Sequence, residues 1–441
     1  MSLKLAGKLF TKRQFLPLFV LFQAGTTNDN ILKNALIALV TFGGMTLFSP
    51  DLPRDGLVAT AALLFTMPFL ILCTIAGQIA DKVDRGIILK WVKRAEFIIM
   101  IIAGIGFFLE NSFILAGALF LMGAQSAFFS PTKNAVLPQW LEDKDLITAN
   151  GLLSGFQFFF ILVGMIIGIK IVLIDPSDGF WNGPRIVATI LFILAIIGVF
   201  AAERVPLAPA PKPDLKINYN PITSIYGVMK TAINHMNVFK PMLGIAWFYG
   251  FSNVMILVLP NYVKDVLKYD AEVLIIILVA STLSILVGSL SCLVLARGKE
   301  ALGLVLIGII GVTIFTLDLY LNTSISSRTE LGNLADFKAD PQTPRFMLAI
   351  MGSSISAGLY VVPLQAMAQR RAIDLVRARL MSAGAVMLNA VVNIVTFALI
   401  GLSYTAMAPE TPFLGVVIVS IIVCFYAAMR VYQLRNQAAK P

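Results

Sequence analysis

Five polar side chains crowd two turns of an otherwise apolar segment. They are Asn28, Asp29, Asn30, Lys33 and Asn34, in "FQAGTTNDNILKNAL", residues 22–36. Set on a helix, Asp29 and Lys33 are i,i+4 neighbours, and Asn30 and Asn34 make a second such pair about a third of a turn away. A charge at the centre of a bilayer costs ~2.5–3.5 kcal/mol even on the lenient insertion scale, so such groups normally face a polar cavity. Two chemistries are open to this face. One is the binding of a polar or charged headgroup in a cavity, with Asp29 as a candidate proton relay. The other is structural, an internal ion pair with amide hydrogen bonds between helices.

Other polar groups recur in the same setting. Gln125 and Lys133 sit in "MGAQSAFFSPTKNAVLPQW", where the lysine is either a phosphate ligand or a snorkelling interface lysine. Pro131 is expected to stop the helix there, Pro138 to break the connector, and Asn150-Gly151 to open the next helix. Trp247, Phe248 and Tyr249 cluster ahead of Asn253 and Pro260, as packing anchors or as the wall for a large amphipathic ligand. Asn389 and Asn393 repeat the i,i+4 amide pattern. Enzyme signatures are missing. There is no P-loop, no H-x-x-x-x-D acyltransferase pattern, and a single histidine, His235, which leaves no Ser/His/Asp arrangement in prospect. Cys73, Cys292 and Cys424 lie in apolar runs and read as small buried hydrophobes, so neither a metal nor another cofactor is expected.

The elements that must position these groups are membrane helices. The chain is 58% hydrophobic and only 13% charged, against about a quarter charged in soluble domains. A helix needs ~20 mostly apolar residues to cross a hydrocarbon layer of ~30 Å. That ruler gives roughly twelve spans, near 14–42, 56–80, 89–109, 112–131, 147–173, 184–202, 240–262, 271–295, 300–321, 344–368, 378–404 and 412–433. Between the sixth and seventh, residues 203–235 are polar and rich in proline, with an amphipathic interfacial helix expected over Pro221 to His235. The expectation is an all-α polytopic membrane protein: a six-helix bundle over 1–202, a linker over 203–238 and a second bundle over 239–441.

Alternate loops gather the cations: Lys82, Arg85, Lys90, Lys93 and Arg94; Lys133 and Lys144; Arg204, Lys212 and Lys216; Arg297 and Lys299; Arg370, Arg371, Arg377 and Arg379. The opposite loops mix few bases with acids, such as Asp51, Arg54 and Asp55, then Asp175, Asp178 and Arg185. By the positive-inside rule both termini and the linker face the cytoplasm, which accounts for the net charge of +10 without a nucleic-acid partner. The basic start, Lys4, Lys8, Lys12 and Arg13, runs into an apolar stretch too long for a cleaved signal peptide.

The loop after the second span, "GQIADKVDRGIILKWVKR", resembles the cytoplasmic loop motif of major facilitator transporters, G-x-x-x-D-R/K-x-G-R-R. Gly77, Asp81 and Arg85 fall on it, with Asp81 expected to cap a neighbouring helix or pair with a base, as a latch that holds one conformer closed. "RQFLPLFVLFQAGTTNDNILKNALIALVTF", "LFLMGAQSAFFSPTKNAVLPQWL", "WFYGFSNVMILVLPNYVKDVL" and "GLYVVPLQAMAQRRA" resemble the lysophospholipid transporter family of that superfamily. The resemblance is nearest to the N-terminal transporter domain of fused acyltransferase/acyl-carrier-protein synthetase proteins, and is collinear over about 13–430.

The resemblance implies movement of lysophospholipid, such as lysophosphatidylethanolamine, across the bacterial inner membrane by alternating access. It also implies a separate acyltransferase/acyl-carrier-protein synthetase as partner. Asp29, Asn30 and Lys33 fall on the family's polar block in the first helix, Gln125 and Lys133 on the block in the fourth. The expected substrate contacts are Asn28, Asp29, Asn30, Lys33, Asn34, Gln125, Lys133, Trp247, Tyr249 and Asn253. Departures are "SAGAVMLNA" at 382–390, where the fused proteins carry Ala-Ala-Asn-Asn, and Asn134, where an aromatic follows the lysine. The sequence ends near residue 441, so the fused enzymatic domains are expected to be absent. Competing expectations are a carrier of another amphipathic solute, a drug or siderophore, with proton coupling, and a scaffold that docks an acyltransferase. Apart from Asp29, the carboxylates in the spans are Glu96 and Asp318, both placed near helix ends, which weighs against proton coupling.

Overall fold

The computed structural model describes residues 9–46, 53–174, 181–295, 302–321, 328, 330–371, 377–405 and 408–438. The backbone alone is described at 134, 143–148, 151, 154, 155, 293, 294, 377, 378 and 434–438. Of the residues named above, Lys4, Lys8, Asp51, Asp175, Asp178, Arg297 and Lys299 lie outside the described residues, as do the side chains of Asn134, Lys144 and Arg377.

Among the described residues twelve long helices and two short ones follow in order: α1 Phe15–Thr41, α2 Arg54–Lys82, α3 Arg85–Phe108, α4 Ser112–Trp140, α5 Asp143–Val172, α6 Gly183–Glu203, α7 Pro221–Ile233, α8 Met236–Asn261, α9 Ala271–Leu295, α10 Leu302–Leu321, α11 Leu334–Ala339, α12 Thr343–Arg371, α13 Arg377–Ser403 and α14 Thr411–Ala438. A single π-helical turn, Tyr262–Val266, extends α8. Among the described residues nine of these helices are long and apolar enough to cross a membrane. The long helices outside that group are α1, α3 and α5. α1 carries a block of amides around Asp29 and Lys33, and α3 carries Lys93, Arg94 and Glu96 close together, which makes both less apolar. Large apolar side chains such as Ile98, Phe200, Ile307 and Ile422 are turned outward, as a lipid-facing surface requires.

Helix starts are set by side-chain caps. Asp84 accepts from the backbone N–H of Gly86 and Ile87 and opens α3; Asn111 and Asn182 do the same for α4 and α6. Two expectations fail in α4. It runs through both Pro131 and Pro138, and α5 opens at Asp143, well before Asn150. A helix in an apolar medium has no water to take over its backbone groups, so a proline is absorbed where neighbours satisfy the carbonyls it frees. The Arg85 guanidinium donates to Ala135 O at 3.0 Å, next to the Asn134 carbonyl that Pro138 deprives of its helical donor.

The chain forms two compact units, residues 1–52 with 60–226, and residues 53–59 with 227–441. In the first, α1 lies against α5 and α6, and α3 against α4 and α6. In the second, α10 lies against α12 and α14, and α8 against α13 and α12. α7 bridges the sequence boundary and is amphipathic, with Ile222, Tyr226 and Ile233 exposed and Ala232 buried.

α1 and α5 meet through glycine. A Cβ at Gly164 would come within 2.8 Å of Thr27 O, and one at Gly168 within 2.8 Å of Ile31 O. Replacing Gly168 by leucine should therefore force α5 off the polar face of α1, at a cost of about 1–3 kcal/mol for overpacking. A thermal melt of the purified protein in detergent checks this: the variant should unfold several degrees lower, and an unchanged midpoint contradicts the close approach.

Candidate functional site

The polar block of α1 does not act as one group. Asn28 is fully buried and donates from Nδ2 to Glu96 Oε1 at 3.0 Å. Asp29 accepts from Ser126 Oγ at 3.2 Å through Oδ2, and its buried Oδ1 has no hydrogen-bond partner. Asn30 and Asn34 turn back on their own helix, donating to Thr26 O and Asn30 O at 2.8 Å. Asp29 and Lys33 do not close into an ion pair of the kind found elsewhere in the unit.

The ion pair lies on α3 instead. Lys93 Nζ and Glu96 Oε2 are 2.5 Å apart, and each residue is only 1% exposed. Gln125 Nε2 donates to the same Glu96 oxygen at 3.3 Å and to Val92 O at 3.4 Å. The ammonium of Lys93 also sits 4.9 Å from the centre of the Phe129 ring. Gly25 makes the room for it, since a Cβ there would collide with Lys93 Nζ. Glu96 thus receives donors from three helices, α1, α3 and α4, which is how a buried charge is kept tolerable.

The sequence reading placed Lys93 in a basic loop and Glu96 near a helix end. Both lie well inside α3, because Asp84 starts that helix at Arg85. The signal was present in the spacing: Leu89, Lys93, Glu96, Met100 and Ala103 fall on one buried stripe at helical period.

Lys133, on α4, places its Nζ 3.8 Å from the centre of the Phe22 ring. It borders a small cavity of 50 Å³ with Leu18, Asn150 and Gln157, and lies within electrostatic reach of Asp29. This unit therefore brings together Asn28, Gln125, Lys93 and Glu96 in one network. Asp29, Ser126 and Lys133 lie beside it, Ser126 also donating to Gln125 Oε1 at 3.2 Å.

In the loop motif the acid meets a base four residues on. Arg85 Nη2 donates to Asp81 Oδ1 at 3.2 Å, and Arg85 Nε to Ala80 O at 3.0 Å. A Cβ at Gly77 would meet nothing within 4 Å. Asp84 and Gln78, which motif reading passed over, hold the start of the linker. Asp84 accepts from Ala208 N at 3.1 Å, and Gln78 bonds Asn218 N and Ser224 Oγ at 2.8 and 2.9 Å.

In the second unit Trp247 stacks on Phe251 and meets Tyr360 edge-on, with ring centres 5.9 and 5.1 Å apart. Tyr249 packs edge-on against Phe248. Asn253 donates to Thr396 Oγ1 at 2.9 Å and so joins α8 to α13. Asn389 and Asn393 bond carbonyls of their own helix, at Ala385 and Asn389.

Membrane-crossing helices around buried charges define a polytopic carrier. The sequence matches the Major Facilitator Superfamily over residues 35–328, more than half of the chain, and the chain belongs to that superfamily. It is a membrane transporter of that fold. It is 24% identical over 225 residues, 50% of its length, to a protein of Klebsiella pneumoniae named lysophospholipid transporter LplT. To a protein of the same name from an Enterobacter species it is 26% identical over 219 residues, 49% of its length. Those alignments cover 51% and 47% of the two proteins, so the chain spans about half the length of the curated relatives it matches. Its fold is similar to that of a solved structure of the POT family transporter PepTSo, with a TM-score of 0.67 at 12% identity over 95% of this chain and 98% of the other. At that identity the likeness shows the fold alone.

The buried pair is testable as a unit. Lys93→Met leaves Glu96 charged and unpaired and should destabilise the protein by about 3–5 kcal/mol, whereas Lys93→Met with Glu96→Leu should regain most of that loss. Melting temperatures and monodisperse yields of the two variants decide it; equal losses would show that the charges do not act as a pair.

Proposed function

We propose that this transporter carries lysophospholipid, such as lysophosphatidylethanolamine, across the bacterial inner membrane by alternating access, with both termini in the cytoplasm. The observation that carries the reading is Asp29: a carboxylate inside a membrane helix, with one buried oxygen unpartnered and Lys133 in electrostatic reach. A phosphoethanolamine headgroup has the complementary charges, an ammonium donor for Asp29 and a phosphate for a lysine. The relatives named lysophospholipid transporter support the same substrate class. A separate acyltransferase/acyl-carrier-protein synthetase would re-acylate the delivered lipid. Gly77, Asp81 and Arg85 would serve the conformational latch, with Asp84 and Gln78 tying the linker to it.

A second reading, a proton-coupled carrier of another amphipathic solute, draws on Glu96, a second carboxylate deep in a helix. It is the weaker one, because Glu96 already accepts from Lys93, Asn28 and Gln125. Uptake of labelled lysophosphatidylethanolamine into cells lacking their own transporter separates the two. A lost charge-assisted hydrogen bond is worth about 1.5–3 kcal/mol, so Asp29→Asn and Lys133→Met should each lower uptake roughly ten- to a hundredfold at matched membrane expression. No uptake by the well-folded native chain would discard this substrate.

A further inference from the structure

The second unit holds a cavity of 680 Å³, within the range of ligand pockets, ~300–1,000 Å³. Trp247, Tyr360 and Val305 line it, as do Leu243 on α8 and Ile422 on α14. Those two residues are 52% and 64% exposed, and α14 rests on α10 far more than on α8. This side of the cavity therefore faces the surface that lipid covers in a membrane.

One end of the cavity is cationic. Lys240 stands near the start of α8, Arg371 at the end of α12 and Arg430 near the end of α14, and all three line the cavity. Arg371 Nη1 reaches Asn237 O at 3.5 Å, which fixes the end of α12 beside the start of α8. Among the described residues the lining includes no carboxylate. The face of α1 carries charges of both signs, whereas the charged residues described in this cavity are all positive. Apolar walls with cations gathered at one end, one side turned to the bilayer, match a lipid with an acyl chain and a net negative headgroup.

We propose that this cavity binds an anionic phospholipid of the bilayer, whose phosphate sits among Lys240, Arg371 and Arg430 while an acyl chain lies against Trp247 and Tyr360. The site is separate in substance from the substrate reading above and does not depend on it. A lipid held there fills the gap between α8 and α14, so the stability of this unit depends on the headgroup composition of the membrane around it.

Native mass spectrometry of the full-length protein in detergent tests this, with phosphatidylglycerol and phosphatidylcholine of identical acyl chains supplied at equal concentration. The retained adduct should be phosphatidylglycerol, favoured roughly tenfold or more, and K240Q/R371Q/R430Q should lose that preference. Lys240→Gln and Arg430→Gln singly should each weaken it, which keeps the test open if the triple variant fails to elute as a folded monomer or oligomer. Equal retention of the two lipids by the native chain overturns the proposal, as does an unchanged preference in the variants. Displacement of the adduct by an equal concentration of lysophosphatidylglycerol would overturn it too, by making the cavity the substrate's own seat. None of these measurements uses transport, so a failed uptake assay and a failed lipid assay are independent results.

Discussion

Inside a bilayer no water is available to a stranded polar group, so each must find its partner within the protein. The first unit is arranged around that constraint. Glu96 is its centre, drawing the Lys93 ammonium, the Asn28 amide and the Gln125 amide from three helices. Removing either member of the Lys93–Glu96 pair leaves the other charge buried without its counterion, where no solvent can compensate. The second unit solves the same problem more locally. Its amides at Asn389 and Asn393 donate to the carbonyls one turn back, while Asn253 and Asn261 reach across to other helices, at Thr396 and Asp55.

The distinction separates polar residues that hold helices together from those free to do something else. Asn30 and Asn34 are absorbed by their own helix, and Asn28 by the network. Asn28 and Asp29 each keep one buried oxygen without a hydrogen-bond partner, and of these two Asp29 is the one that carries charge. A cluster that looks like a single polar face thus divides into scaffolding and one candidate ligand, and Lys133, in cation–π contact with Phe22, is placed to be its counterpart.

Much of the fold could be read from hydropathy, because lipid imposes length and composition together. The span expected at 271–295 is α9, and those at 344–368 and 412–433 differ from α12 and α14 by a few residues. Proline misled the reading in α4: the helix runs through Pro131 and Pro138, with the Arg85 guanidinium held against the carbonyl of Ala135 in the turn before Pro138. Charge misled it in α3. A lysine near a run of bases reads as a loop residue, and only the buried stripe from Leu89 to Ala103 shows Lys93 pointing inward. Partners distant in sequence, such as Asn28 with Glu96 or Asp84 with Ala208, leave no local signature at all.

Gly25 belongs to the charge network as fully as its charged members do. Any side chain larger than its hydrogen would run into the Lys93 ammonium, and that ammonium is pinned by Glu96 in an almost solvent-free pocket. Adding one methyl group to α1 would therefore be felt as an electrostatic injury: a neutral, helix-favouring alanine would act through Coulomb's law. The tolerance of this membrane helix to change is set by what passes over it, more than by what it carries.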